Sequence, residues 1–331
     1  MIVLRTLKKA LRRSPLLLPA VVIIVMSVLF AHPHSKYYRK YRSLPPITKV
    51  VTLTQGGGLV GAMTLGDRSH LQRSVRQQFS AVGASHVLAL SGLHLSILYF
   101  FLSFVFYPLR RRLFFNVILL SSIWVYAYAV GMSASITRAA IMLSLITLST
   151  MMLRKASSVN NLSLSAILIL LFSPSSVYDI GFQLSFAAVL FIIILYKPLF
   201  RLMPFRLRRN RFVAFVWSMV CISFVAQLGT APLVAHYFHI FPVYFLLSNF
   251  VVVPAAYIII GGTIIYLLHV FPATVSMLLD TVADTMLHLV SLIASLPGAT
   301  VTGISFSWFQ VLCAYLIILF TTSCFFMKLQ K

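Results

Sequence analysis

Long apolar segments recur along almost the whole sequence, and short stretches rich in Arg and Lys separate them. The first begins at Leu16 and the last ends at Phe326. Hydrophobic residues make up 60% of the chain and charged residues only 9%, whereas about a quarter of a typical soluble domain is charged. Backbone groups in lipid must be hydrogen-bonded within the segment itself, so such segments form helices. The sequence therefore predicts an all-α fold, a polytopic integral membrane helical bundle of about 10 spans.

The distribution of charge predicts how these spans are oriented. The chain has 27 Lys and Arg residues against four acidic residues, a net charge of +23. Basic residues concentrate in alternate loops, such as 110–112 and 201–211, and the positive-inside rule places these loops in the cytoplasm. Both termini are then expected on the cytoplasmic side. Topology does not explain the basic residues between Lys36 and Arg76 on the outer side, and they indicate a polyanionic partner.

The pattern divides the chain into three regions. Residues 1–31 are predicted to be a basic segment followed by a membrane anchor, residues 32–85 a polar outer linker, and residues 86–331 the transmembrane domain. Within the linker, the run Gln55–Gly58 predicts a flexible break. An amphipathic helix is predicted from an N-cap at Asp67 to Phe79, lying along the membrane surface.

Prolines interrupt one apolar stretch in the second half of the chain. Pro232, Pro242 and Pro254 lie in or beside the segment Leu233–Val253. Proline removes a backbone donor and clashes with the preceding helical turn. The segment is therefore predicted to be a broken or re-entrant helix, which lipid tolerates only where it is covered by protein or lines a cavity.

Polar side chains within the apolar segments are costly in lipid and are expected to face the interior of the bundle. The residues predicted to line or shape this polar interior are His86, Ser91, Gly92, His94, Arg138, Asp179, Gln183, Ser185, Gln227, Thr230, His236, Asn249, Asp280 and Asp284. Three further residues of the linker are predicted to contact phosphate groups of a polyanion: Arg68, Arg73 and Arg76.

The spacing of the histidines argues against metal or catalytic chemistry. His86 and His94 are eight residues apart and cannot both bind one metal unless the helix breaks at Ser91–Gly92. Ser91 and His94 can share a helix face, but no acidic partner for them is evident, so an intramembrane hydrolase is disfavoured. His236 and His239 have a spacing that suits a metal, yet a third ligand is lacking. We expect no catalytic residue, no metal site and no cofactor.

Acidic residues in the spans suggest two further interactions. Asp179 is predicted to cap its helix and to pair with Arg138, which would satisfy both charges. Asp280 and Asp284 are four residues apart and share a helix face. This pair is compatible with proton coupling or with a wet interior surface.

Several of these segments resemble ComEC-type competence proteins. The resemblance rests on motifs that occur in the order of the family, across roughly residues 60 to 325. They are Gly66-Asp67-Arg68, Gly83, the run from His86 to His94 (HVLALSGLH), Arg138-Ala139, the run from Asp179 to Phe186 (DIGFQLSF), Gln227, Thr230-Ala231-Pro232, Asn249 and Pro254.

The resemblance implies a channel that carries single-stranded DNA across the bacterial inner membrane during natural transformation. Its expected partners are single-stranded DNA and membrane lipid. Full-length members also carry an extracellular oligonucleotide-binding barrel, and often a metallo-β-lactamase-like domain. The stretch from Ala31 to Leu65 is too short for the barrel, so we expect the channel domain alone. Separate DNA-binding and nuclease proteins are then candidate partners, and a homo-oligomer is left open.

Two other functions remain open at the level of the residues. Asp280, Asp284 and the histidines also suit a proton- or ion-coupled transporter of small solutes. The basic outer surface also suits a non-conducting membrane scaffold that recruits partners. The width of the lumen separates these functions, because single-stranded DNA needs roughly 10 Å or more.

Overall fold

The computed structural model describes residues 55–106, 113–151 and 157–328. The predicted N-terminal anchor and the basic residues between Lys36 and Arg42 lie outside the described residues. The helices that precede residue 200 are α1 (Gln55–Leu65), α2 (Arg73–Ala81), α3 (Ser85–Leu88), α4 (Gly92–Val105), α5 (Leu113–Ala129), α6 (Ala134–Met151), α7 (Ser158–Phe172), a 3-10 turn (Pro174–Tyr178) and α8 (Ile180–Phe200).

The second half of the described chain is also helical apart from two short strands. Its elements are α9 (Phe205–Arg208), α10 (Arg211–Phe238), β1 (Ile240–Pro242), α11 (Phe245–Leu267), α12 (Pro272–Ala294), β2 (Thr300–Thr302) and α13 (Trp308–Lys328). Strands β1 and β2 pair in a two-stranded sheet. The prediction of an all-α membrane fold is confirmed.

Four helices among the described residues are long and apolar enough to cross a membrane, judged by length and composition. They are α8, α10, α11 and α12. The apolar parts of α4, α5, α6, α7 and α13 are shorter. Helices of this kind make the chain a membrane protein, and polar side chains within them are not solvated by lipid.

The chain folds into two compact units. Unit A comprises the described residues between 55 and 151 together with 242–300, and unit B comprises 157–241 and 301–328. In unit A, helix α12 packs along α11 and against α1 and α2, while α6 packs against α4 and α5. In unit B, α10 packs along α8 and against α13.

Buried apolar side chains form the core of each unit. In unit A, the largest cluster includes Met63, Phe79, Ile259 and Met286, which join α1 and α2 to α11 and α12. In unit B, Phe191, Leu195 and Val225 join α8 to α10. Each unit thus has a core of its own.

The helix is interrupted within Leu233–Val253, as predicted, but the break does not lie at Pro232 or at Pro254. Pro232 lies inside α10 and Pro254 lies inside α11, and both helices continue through them. The chain breaks instead between these helices, where His239 has a left-handed backbone with φ of 58° and Pro242 lies in β1. Long membrane helices tolerate proline because neighbouring groups satisfy the freed carbonyl.

The linker also differs from its prediction. The glycine-rich run that begins at Gln55 is the start of α1 rather than a flexible break, and Leu59 and Val60 of this helix are buried. The amphipathic helix begins at Arg73, six residues after the predicted cap. Residues of α1 and Phe79 are buried in the core of unit A. These tertiary contacts stabilise helices that the local sequence alone did not predict.

Candidate functional site

The run from Ser85 to His94 is a broken helix in unit A. Helix α3 ends at Leu88, the chain is extended at Ala89 and Ser91, and α4 begins at Gly92. The helix is therefore interrupted next to Ser91–Gly92, between His86 and His94. His86 is held before the break, with its Nδ1 3.1 Å from the carbonyl oxygen of Gly83.

Ser91 and His94 cap the start of α4. The backbone N–H of Ser91 donates to Nδ1 of His94 at 3.2 Å, and the Oγ of Ser91 lies 2.9 Å from the same nitrogen. Because Nδ1 accepts from this N–H, the neutral ring carries its proton on Nε2. His94 is completely buried. Its imidazole therefore closes the end of a helix that would otherwise expose unpaired backbone donors inside the protein.

The loop between α1 and α2 is hydrogen-bonded to the end of α3, where the helix breaks. Nε of Arg68 donates to the carbonyl oxygen of Leu88, the last residue of α3, at 3.0 Å. Nη2 of Arg76 donates to the carbonyls of Arg68 and Leu71. Burial and the nearby charge of Arg76 lower the pKa of Arg68 from its ordinary value. Two guanidinium groups are thus close together beside the break.

Asp67 organises this loop rather than capping a helix. Its Oδ1 accepts from the backbone N–H of Ser69 at 2.9 Å and from the Ser69 hydroxyl at 2.6 Å. These two bonds stabilise the charged carboxylate and lower its pKa below the ordinary value of 3.8. The N-cap of α2 is Gln72, so the predicted cap at Asp67 is wrong.

The depressed pKa of Asp67 predicts a pH-dependent contribution to stability. A lowered folded-state pKa stabilises the fold at pH values above the ordinary pKa of the carboxyl, and this stabilisation is lost as the pH falls through the folded-state pKa. We expect Asp67→Asn to lower the thermal midpoint of the purified protein modestly near pH 6. The difference from wild type should shrink as the pH falls below about 4. A difference that stays constant over this range would contradict the role, and Ser69→Ala is the matched variant, expected to show the same trend.

Close packing places α6 directly against the break. A Cβ atom on Gly92 would lie 3.2 Å from Cβ of Ala139, so only a small residue allows this approach. Arg138, the preceding residue, is 2% exposed, and its Nη2 donates to Oγ of Ser135 at 2.9 Å. Arg138 belongs to unit A and Asp179 to unit B, and their pairing stays a prediction.

In unit B, three of the predicted polar residues, Asp179, Gln183 and Ser185, lie at the start of α8. Oδ1 of Asp179 accepts from the backbone N–H of Phe182 at 2.8 Å, so Asp179 caps α8 as predicted. Gln183 donates to the carbonyl of Val177 at 2.9 Å and accepts from the hydroxyl of Tyr237 at 2.8 Å. Ser185 is half-buried on the same helix.

The end of α10 carries an aromatic cluster that the sequence did not indicate. Nδ1 of His236 contacts the carbonyl oxygen of Phe306 at 2.5 Å, and the His236 ring centroid lies 4.3 Å from that of Trp308. Tyr237 packs edge-on against both rings. His239 lies with its Nδ1 3.2 Å from the carbonyl of Ile304. Each of the two histidines thus contacts a backbone carbonyl oxygen, and these carbonyls belong to different residues.

The remaining predicted residues are spread over three helices. Thr230 donates to the carbonyl of Ala226 at 3.0 Å within α10. Nε2 of Gln227 and Oδ1 of Asn249 are buried atoms without a hydrogen-bond partner among the described residues. Asp280 is half-buried and Asp284 is exposed on α12. No group of three or more His, Cys, Asp or Glu side chains in the described ranges is arranged to hold a metal ion.

Three hydroxyl groups that sequence reasoning missed donate to backbone carbonyls at the ends of α1 and α2. Tyr126 donates to the carbonyl of Thr64 at 2.8 Å, Ser248 to that of Val82 at 2.7 Å, and Thr300 to that of Ala81 at 2.7 Å. These contacts link residues between 62 and 219 positions apart. Single hydroxyls in apolar segments carry no periodic signal, so only the fold reveals them.

Comparisons with known proteins agree with the motif pattern. The family model described as "Competence protein" matches residues 63–328. The ComE operon protein 3 of Bacillus subtilis (strain 168) is 32% identical over 198 residues, 60% of this chain and 24% of that protein. An uncharacterized protein of Aquifex aeolicus (strain VF5) is 31% identical over 182 residues, 55% of this chain and 40% of that protein. No solved structure matches.

Proposed function

This chain belongs to the competence protein family, and from this premise we propose that it is a membrane conduit for single-stranded DNA during natural transformation. The conduit lies in the bacterial inner membrane with both termini in the cytoplasm. The observation that carries the proposal is the extent of the family match, which includes the broken helix, Arg138, the cap of α8 and the polar residues of α10 and α11. The aligned segments cover less than half of either relative, so DNA uptake by this chain is a proposal.

The arginines beside the broken helix support attraction of a phosphate backbone. Arg68 and Arg76 each use one nitrogen for backbone carbonyls, and a guanidinium has five N–H donors, so donors remain for another acceptor. Arg73 is exposed at the start of α2. A conduit that does not read sequence needs phosphate contacts and no base-specific contacts. The proposal accordingly assigns no catalytic residue and no cofactor.

Arg73 provides a clean test of phosphate contact because its side chain is exposed. Affinity for single-stranded DNA falls with salt, with a slope of about 0.7 per phosphate neutralised. We expect Arg73→Gln to weaken binding of an oligonucleotide to the purified full chain and to reduce this slope by about 0.7. Gln77→Ala, an exposed neutral change on the same helix, is the control. A salt dependence with the same slope as that of wild type would show that Arg73 does not contact phosphate.

Uptake in the host bacterium tests the function as a whole. We expect deletion of the gene to abolish entry of labelled DNA into the cytoplasm, and the wild-type chain, produced at normal levels, to restore it. Arg138→Ala tests the buried arginine and is expected to fail to restore entry when its level matches wild type. Normal uptake after deletion would overturn the conduit and favour the solute-transporter or scaffold functions.

A further inference from the structure

Helix α12 carries two opposite stripes, and only one of them packs into unit A. The buried stripe consists of Leu279, Ala283, Met286, Val290 and Ile293, which follow helical spacing and belong to the core. The opposite stripe is Thr281, Asp284, Thr285 and His288, at spacings of three and four residues. All four residues of this second stripe are exposed. We refer to it as the polar stripe.

The polar stripe is inconsistent with contact to lipid. Helix α12 has 23 residues and is one of the helices apolar enough to cross a membrane. The two threonines satisfy their hydroxyls by donating to carbonyls one turn earlier, both at 2.7 Å. Within the part of the chain that the structure describes, Asp284 and His288 form no such bond, and a carboxylate cannot donate to the carbonyl oxygens of its own helix. A carboxylate facing hydrocarbon is strongly disfavoured.

Other exposed helix faces show what a lipid-compatible surface looks like in this chain. On α5, the most exposed side chains include Phe114, Val117, Val125 and Tyr128, and Val125 is 68% exposed. This face presents apolar atoms and aromatic rings. On α12, the exposed apolar side chains of Met277 and Leu292 lie on the same face toward the two ends, and the polar stripe occupies the turns between them.

We propose that the polar stripe of α12 faces a water-filled path across the membrane and that Asp284 makes this part of its wall favourable to cations. The inference rests on the proposed function only in identifying this path with the DNA conduit. In that conduit, a carboxylate repels the phosphate backbone, so α12 forms a wall that the strand does not bind. The basic surface around Arg68 and Arg76 then remains the attractive one.

Thiol labelling of the full chain in native membranes tests the proposal without DNA. Cys221, Cys313 and Cys324 are first replaced by Ala or Ser, and single cysteines are then placed at Asp284, His288 and Val125. We expect membrane-impermeant methanethiosulfonate reagents to modify Asp284→Cys and His288→Cys at least tenfold faster than Val125→Cys. Equal rates at the three positions would overturn the proposal.

The charge of the wall is measured at His288→Cys, one helical turn from Asp284. A charge about 6 Å away in water changes the rate of a charged reagent about threefold in each direction, or roughly tenfold in the ratio of cationic to anionic reagent. We expect Asp284→Asn to lower this ratio by about that factor. An unchanged ratio would show that Asp284 does not act on the path.

A scan along the helix distinguishes a path from a helix lying on the membrane surface. Met277, in the second turn of α12, and Ser295, the residue that follows its last turn, lie on the same side as Asp284. A bulky reagent added from one side should react progressively more slowly from one end to the other. Similar rates at all three positions would indicate a surface helix and overturn the proposal. Loss of the DNA-uptake function with this gradient intact would leave the water-filled path standing.

Discussion

Gly83→Ala is expected to destabilise unit A by about 2 to 5 kcal/mol, the sum of a left-handed backbone and an overpacked contact. Gly83 follows α2 with φ of +77°. A Cβ atom there would lie 2.7 Å from Cγ of Pro242 and 3.0 Å from its Cβ. The proline ring cannot rotate away, and Phe245 lies 3.4 Å away on the same side. The chain must therefore shift α2 or the start of α11.

The measurement is the thermal midpoint of the purified protein in detergent, together with its level in the membrane. Gly61→Ala is the matched control, because Gly61 lies within α1 and a Cβ atom there meets nothing within 4 Å. Alanine is the better helix former, so this control should leave stability unchanged or raise it by up to about 1 kcal/mol. Equal midpoints for the two variants would contradict the packing described at Gly83.

Gly229→Ala is expected to destabilise unit B by about 1 to 3 kcal/mol through overpacking. A Cβ atom on Gly229 would lie 2.9 Å from the carbonyl oxygen of Ala187 and 3.0 Å from Cβ of Phe191. Because the closest atom belongs to the backbone of α8, the two helices must move apart. The carbonyl of Gly229 also accepts the hydroxyl of Tyr315 at 2.8 Å, so the displacement disturbs α13 as well.

The same thermal measurement checks this expectation, with Gly261→Ala in α11 as the control. Gly261 lies in another long apolar helix, and a Cβ atom there meets nothing within 4 Å. Tyr315→Phe separates the two effects, since it removes the hydroxyl and leaves the helix contact unchanged. A midpoint for Gly229→Ala at or above that of Gly261→Ala would show that α8 and α10 do not depend on the close approach.

The residues predicted to line a polar interior or to contact phosphate have more specific contacts in the structure. Ser91 and His94 cap a helix inside unit A, Arg68 holds the end of the preceding helix, and Asp179 caps α8. Each satisfies backbone groups that a broken or terminating helix leaves unpaired. The polar stripe of α12 differs from these residues because its carboxylate, Asp284, caps no helix and has no backbone partner among the described residues. Water exposure is therefore proposed for α12 and not for the broken helix.

Local sequence patterns were sufficient for the class of fold and for several helix ends. Apolar segments with few charges predicted the membrane helices, because lipid leaves few alternatives to a helix. The cap of α8 at Asp179 was predictable because a carboxylate before an apolar run has a purely local partner. The family resemblance was likewise visible in short motifs that occur in order.

Tertiary contacts decided what local patterns left undetermined. The glycine-rich run from Gln55 is helical because the apolar residues that follow it in α1, such as Leu59 and Met63, are buried in unit A. Pro232 and Pro254 do not break their helices, and the turn between them forms where the chain enters β1. The exposed direction of Asp284 is also a tertiary property, since packing of the opposite stripe sets how α12 is rotated. The sequence by itself determined that the chain forms apolar helices with polar interruptions, and long-range packing decided which of those groups close helix ends and which remain exposed.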